Sequence, residues 1–157
     1  MKKIAVFVDV QNIYYTCRQA YGRQFNYQEL MRRIGAGGEI VAATAYAIER
    51  NDEKQRKFQN ALRNMGFTVK LKPYIQRADG SAKGDWDVGI TIDILEAAAN
   101  VDVVVLLSGD GDFDLLLKKI REDNKARAEV YGVPSLTANA LINAASLYHR
   151  IGEDLLL

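Results

Sequence analysis

Four aspartates, Asp9, Asp87, Asp110 and Asp112, are the side chains of this 157-residue sequence best suited to act together. Asp9 closes the apolar run Ile4-Ala5-Val6-Phe7-Val8 and is followed by Gln11 and Asn12. Asp110 and Asp112 follow a second apolar run, in Ser108-Gly109-Asp110-Gly111-Asp112-Phe113-Asp114. Asp87 sits in Lys83-Gly84-Asp85-Trp86-Asp87. Acids that share a crevice repel one another unless some stay protonated or a cation lies between them. The single cysteine, Cys17, and the single histidine, His149, offer no thiolate or imidazole centre. Oxygen ligands remain, and they suit the hard cations Mg²⁺ or Mn²⁺. The plainer role of a strand-terminal Asp is to cap the next helix. Four acids at the ends of apolar segments favour the metal site.

These acids need elements to position them. Residues 3–9 and 102–107 read as buried strands, apolar without alternation, and 39–48, 67–71 and 128–131 as further strands, with 147–151 as a short last one. Helices are expected over 12–23, 27–34, 52–65, 85–100, 113–122 and 136–145, with Gly66 ending the third. Residues 73–84 read as an irregular polar stretch with a turn at Asp79-Gly80. Alternating strands and helices predict one α/β domain over residues 1–157, with a mostly parallel sheet of about five or six strands covered on both faces. In such sheets ligands bind beyond the carboxyl ends of the strands. If the strands ending at Asp9 and Leu107 are neighbours, Asp9 and Asp110 face one crevice. Gly109 and Gly111 are then expected to turn the chain sharply and keep bulk away from the acids.

Asp93 lies six residues after Asp87, about 240° away around a helix, so it belongs to another face. It and Asp85 form a second tier. Asp110-x-Asp112-x-Asp114 begins like a calcium-binding loop, but Leu115 and Arg121 stand where that loop needs glycine and glutamate. A phosphotransferase with Asp9 as nucleophile is expected to carry a second Asp two residues on, and Gln11 is there instead.

Charge is unevenly distributed. Residues 50–83 hold nine Lys and Arg against three acids, a net +6, whereas residues 85–114 hold eight acids and no base, −8. A cationic surface for a polyanion beside a carboxylate cluster fits this pattern, and two unrelated solvated faces are the plainer account. Lys54, Lys57, Lys70, Lys72, Arg77 and Lys83, with Arg50, are the cationic side chains expected to face such a polyanion. Trp86 is a candidate to stack on an unpaired base, or else anchors the start of its helix in the core. The N-terminal apolar run ends at Asp9, too short for a signal-peptide core or a membrane span. A soluble, cytoplasmic protein is expected.

The ordered set Phe7–Asn12 (FVDVQN), Lys83–Asp93 (KGDWDVGITID) and Leu106–Phe113 (LLSGDGDF) resembles the NYN family, in its LabA-like (DUF88) branch of the PIN-like nuclease superfamily. Tyr131–Pro134 (YGVP) and Leu147–Ile151 (LYHRI) extend the resemblance over nearly the whole chain. It implies a PIN-like three-layer α/β/α sandwich and a Mg²⁺- or Mn²⁺-dependent ribonuclease. Asp9, Asp87, Asp110 and Asp112 carry over as the acids, with Asn12 and Ser108 as polar members that hold a water or a phosphate oxygen. The middle motif departs from the family pattern, because both Asp85 and Trp86 stand between Gly84 and Asp87. That implies a displaced Asp87 or a further acid in Asp85. RNA, single-stranded or structured, is the expected partner, and the resemblance leaves a homodimer open. The competing reading is a regulatory module that binds RNA or protein without cutting.

Overall fold

Two strands buried on both faces form the centre of the molecule. In the computed structural model, which describes residues 1–73, 75–76, 82–83 and 85–157, these are β1 (Lys3–Asp9) and β6 (Val103–Leu107). They lie side by side and parallel, with Val8 opposite Leu107. Outward from β1 come β2 (Glu39–Glu49) and β3 (Thr68–Pro73), and outward from β6 come β7 (Arg127–Gly132) and β8 (Leu147–Arg150). The result is a six-stranded, all-parallel sheet in the order β3-β2-β1-β6-β7-β8.

Handedness places the helices. Parallel crossovers are right-handed, so the chain covers one face while it builds β1 to β3 and the other once it returns past β1. Helices α1 (Val10–Tyr21), α2 (Tyr27–Ala36) and α3 (Glu53–Asn64) cover the first face. Helices α4 (Asp87–Ala98), α5 (Asp114–Asp123) and α6 (Asn139–Ala144) cover the second. Alternation splits each central strand between the two cores: Ile4, Val6, Val8, Val103, Val105 and Leu107 point to the first. Ala5, Phe7, Val104 and Leu106 point to the second. This is the expected three-layer α/β/α arrangement.

Some boundaries move from the sequence expectation, each for a local reason. The helix expected from Asp85 starts at Asp87, because the Asp85 carboxylate accepts the Asp87 N–H and caps it from outside. The helix expected over 136–145 shortens to α6, because Ala138 N–H donates to the Gly109 carbonyl and holds residues 137–138 extended. Within 73–84, β4 (Ile75–Gln76) and β5 (Ala82–Lys83) pair antiparallel, whereas the Asp79-Gly80 turn and Arg77 fall outside the described residues. No helix among the described residues is long and apolar enough to cross a membrane.

Leu106 has no exposed surface and packs between the sheet and the second helical layer. Leu106→Ala is expected to destabilise the fold by about 2–5 kcal/mol through lost burial and a cavity, read as a lower midpoint of urea unfolding.

Candidate active site

The topology reverses between β1 and β6: from there the chain builds outward in both directions. Such a switch point opens a crevice at the carboxyl ends of the two strands. Continuing the alternation beyond Phe7 and Leu106 turns Asp9 and Ser108 toward the second helical layer, where α4 begins. The same register brings them together, and Ser108 Oγ donates to Asp9 Oδ2 at 3.2 Å.

Around this pair the loop after β6 is fixed by its own polar groups. Asp110 N–H donates to Ser108 Oγ at 3.2 Å, and Asp112 N–H donates to Asp110 Oδ1 at 2.9 Å. Asn12, in the first turn of α1, accepts the Gly109 N–H on its Oδ1 at 2.9 Å. Ser108 is fully buried and engaged on both sides. Its place is beneath the carboxylates rather than at a surface where water or phosphate would lie. Asn12 is likewise placed to clamp the loop.

Asp87, Asp110 and Asp112 converge in front of this support. Each offers a carboxylate oxygen, and the three oxygens lie within 4.8 Å of one another. Asp9 stands behind them, close enough to Asp110 to feel its charge. Burial, reinforced by the charges of Asp110 and Asp85, pushes the Asp9 carboxyl up to about 6, against the opposing hydrogen bonds from Asn12 and Ser108. Asp87 is pushed up to about 7, first by burial, then by a hydrogen bond with Asp110 and the charges of Asp110, Asp85 and Asp9. Oxygens of this kind, hard and mutually repelling, are the donor set a small divalent cation would neutralise. The added residue of the middle motif leaves Asp87 within the cluster, and Asp85 is exposed at its edge.

Asp93 faces away, as its helical angle requires. Its Oδ2 accepts from Tyr46 Oη at 2.7 Å and from Lys70 Nζ at 2.6 Å. Burial opposes ionisation there, but the bonds from Lys70 and Tyr46 prevail and hold the carboxyl below its ordinary value. Lys70, expected at the RNA, is thus drawn into an ion pair that fastens α4 to β3. Lys72 donates to the Asp85 carbonyl at 3.0 Å and lies 4.6 Å from the centre of the Trp86 ring. Trp86 donates its indole N–H to the Ala47 carbonyl at 2.8 Å and packs on Tyr46. With one ring face toward Lys72 and its N–H pinned, Trp86 occupies the anchoring position rather than an open stacking one. Lys54 and Lys57 are exposed on α3, Lys57 in a loose pair with Glu53 at 3.9 Å. Of Lys83 only the strand backbone is described.

Tyr46 is the site-building residue that sequence reading passed over. Its signal was a lone aromatic in a strand otherwise built of small and aliphatic side chains, 39–49. The glycines also act differently from the expectation. Neither Gly109 nor Gly111 has a positive φ. A Cβ on Gly109 would lie 2.4 Å from the Leu136 carbonyl oxygen, and one on Gly111 would lie 2.9 Å from the Ala138 Cβ. They let residues 136–138 pack against the acid loop.

Known proteins bear on this geometry. Residues 3–152 match the NYN domain. Low amplitude and bright protein LabA of Synechococcus elongatus is 28% identical over 159 residues, covering 96% of this chain and 84% of that protein. A crystal structure of a protein of unknown function from Vibrio parahaemolyticus superposes with a TM-score of 0.95 at 54% identity, covering 99% of this chain and 96% of that one.

Two outcomes follow from the packing and charge of the site. Gly109→Ala is expected to cost about 1–3 kcal/mol, since its neighbour is backbone and cannot swing aside; urea unfolding reads this directly. The raised carboxyls favour the fold when protonated. Their contribution is complete below about pH 4 and is lost as pH rises through about 6 for Asp9 and about 7 for Asp87. In chelator, calorimetry is expected to show the unfolding temperature falling by a few degrees between about pH 5 and about pH 8, and Asp87→Asn to flatten that fall.

Proposed function

The chain belongs to the NYN domain family, a PIN-like nuclease family, and on that premise we propose that it is a Mg²⁺- or Mn²⁺-dependent ribonuclease that hydrolyses phosphodiester bonds of single-stranded RNA. The observation that carries this reading is the convergence of Asp87, Asp110 and Asp112 at the switch point. They come from two segments, the start of α4 and the loop after β6, and meet where α/β folds bind their ligands.

Asp87, Asp110 and Asp112 are the residues that would hold the cation. When bound, it supplies Lewis acidity and positive charge against the phosphodiester. The protein's own part is positional. Ser108 and Asn12 are positioning residues: one joins Asp9 to the backbone of Asp110, and the other fixes Gly109. Asp9 supplies negative charge behind the cluster. The Lys70–Asp93–Tyr46 contact and the pinned Trp86 set where α4 begins, and therefore where Asp87 stands. A 1 Å error in such a constellation is enough to cost a large factor in rate.

Purified protein is expected to cleave single-stranded RNA with Mn²⁺ or Mg²⁺ and to stop on addition of chelator. Asp110→Asn is expected to lower the rate by about a hundredfold or more, since it removes a charged oxygen donor. A variant that cuts as fast as the wild type overturns the assignment. Metal-dependent stabilisation and RNA binding without cleavage, in the wild type, would give the non-cutting module instead.

A further inference from the structure

One surface groove lies apart from the acids. It runs between α3 and the edge strand β3, has a volume of about 840 Å³, and opens beside the β2–α3 turn. Its α3 wall is a single flank of the helix, Arg56, Gln59, Asn60 and Arg63, at helical spacing. Leu71 and Pro73 form the opposite wall, and Glu49, Arg50 and Asn51 close one end.

Two properties of this groove point to an anionic polymer. The lining holds three arginines and one acid. Arg56 and Arg63 are both exposed and are met by neutral amides: Arg56 donates to Asn51 Oδ1 at 3.1 Å and Arg63 to Asn60 Oδ1 at 2.9 Å. Those bonds aim the guanidinium groups without neutralising them, and leave donors in the forked geometry that matches a phosphate. Gln59, only 4% exposed, lies between Arg56 and Arg63 on the same wall.

Position adds the rest. The turn holding Arg50 and Asn51 lies at the carboxyl end of β2, the same end of the sheet as the acid cluster. Two strand spacings, about 10 Å, separate β1 from β3, a distance that a few nucleotides of an extended strand can cross. Along α3, Arg56 and Arg63 stand about 10 Å apart, farther than one phosphate reaches.

From these observations we infer that the α3–β3 groove binds the phosphodiester backbone of the RNA strand as it leaves the acid cluster, with Arg56 and Arg63 contacting separate phosphates. The inference rests on the ribonuclease reading for the identity of the polymer. It replaces the lysines of β3 as the expected track, because Lys70 and Lys72 are turned to the other face of the sheet and engaged there.

The test is binding of fluorescein-labelled single-stranded RNA, followed by anisotropy in chelator, so that cleavage plays no part. The double variant Arg56→Gln/Arg63→Gln is expected to bind at least roughly tenfold more weakly. The slope of log affinity against log salt should fall by about 1.4, that is 0.7 for each lost phosphate contact. Arg56→Lys/Arg63→Lys, which keeps the charge, is expected to restore most of that slope, an outcome a purely structural role would not give. Lys119→Gln, on α5, removes one charge away from the groove and is expected to bind like the wild type. Unchanged binding by the double glutamine variant overturns the proposal, as does competition by polyglutamate as effective as competition by polyuridylate. Cleavage is scored separately with Asp110→Asn, so a failed groove and a failed nuclease site give different results.

Discussion

Like charges brought together in a partly buried crevice govern the architecture around this site. Burial, and then the charges of Asp110 and Asp85, raise the affinity of Asp9 and Asp87 for protons. An arrangement of that kind does not form from local preference. It persists because neighbouring groups hold each carboxylate in place: Ser108 between Asp9 and the Asp110 backbone, Asn12 on Gly109, and the Lys70–Asp93–Tyr46 contact behind α4. The repulsion that makes the cluster unfavourable alone also makes it receptive to a cation.

The sheet supplies the geometry for this concentration of charge. Because β1 and β6 are adjacent and parallel, two segments about a hundred residues apart deliver their terminal polar groups to one place. Right-handed crossovers then put α4 on the face toward which Asp9 and Ser108 turn. Residues 136–138 close over the acid loop, and Gly109 and Gly111 are what allow them to approach. The opposite helical layer has a separate part. Its α3 flank presents arginines, so the acid crevice and the cationic groove lie on different sides of the sheet and share its carboxyl end.

Much of this was legible in the residues themselves. The unbroken apolar runs 4–8 and 103–107 fit strands covered on both faces, and each ends in a polar, acidic segment. The 240° offset of Asp93 from Asp87 correctly separated their surroundings. Gly66 ends α3 with φ near +104°, as its place in the sequence implied. Other features depended on information that no local pattern holds. Lys70 and Lys72 look like free surface bases until β3 is placed at the sheet edge beside α4, where Asp93 and Trp86 meet them. Gly109 reads as a flexible turn residue, and its real constraint is a carbonyl from a segment 27 residues later. The arginines of α3 could be counted, but which flank of the helix faced the open edge of the sheet was fixed only by packing.

The central claim is that the convergent carboxylates bind a divalent ion. It is tested most directly by titrating the protein with Mn²⁺ at neutral pH and following the electron paramagnetic resonance signal of the free ion. The account predicts that the wild type removes Mn²⁺ from solution in stoichiometric amounts and that Asp110→Asn does not. A free-ion signal that tracks total added Mn²⁺ in the wild type, or equal uptake by the two proteins, would contradict it.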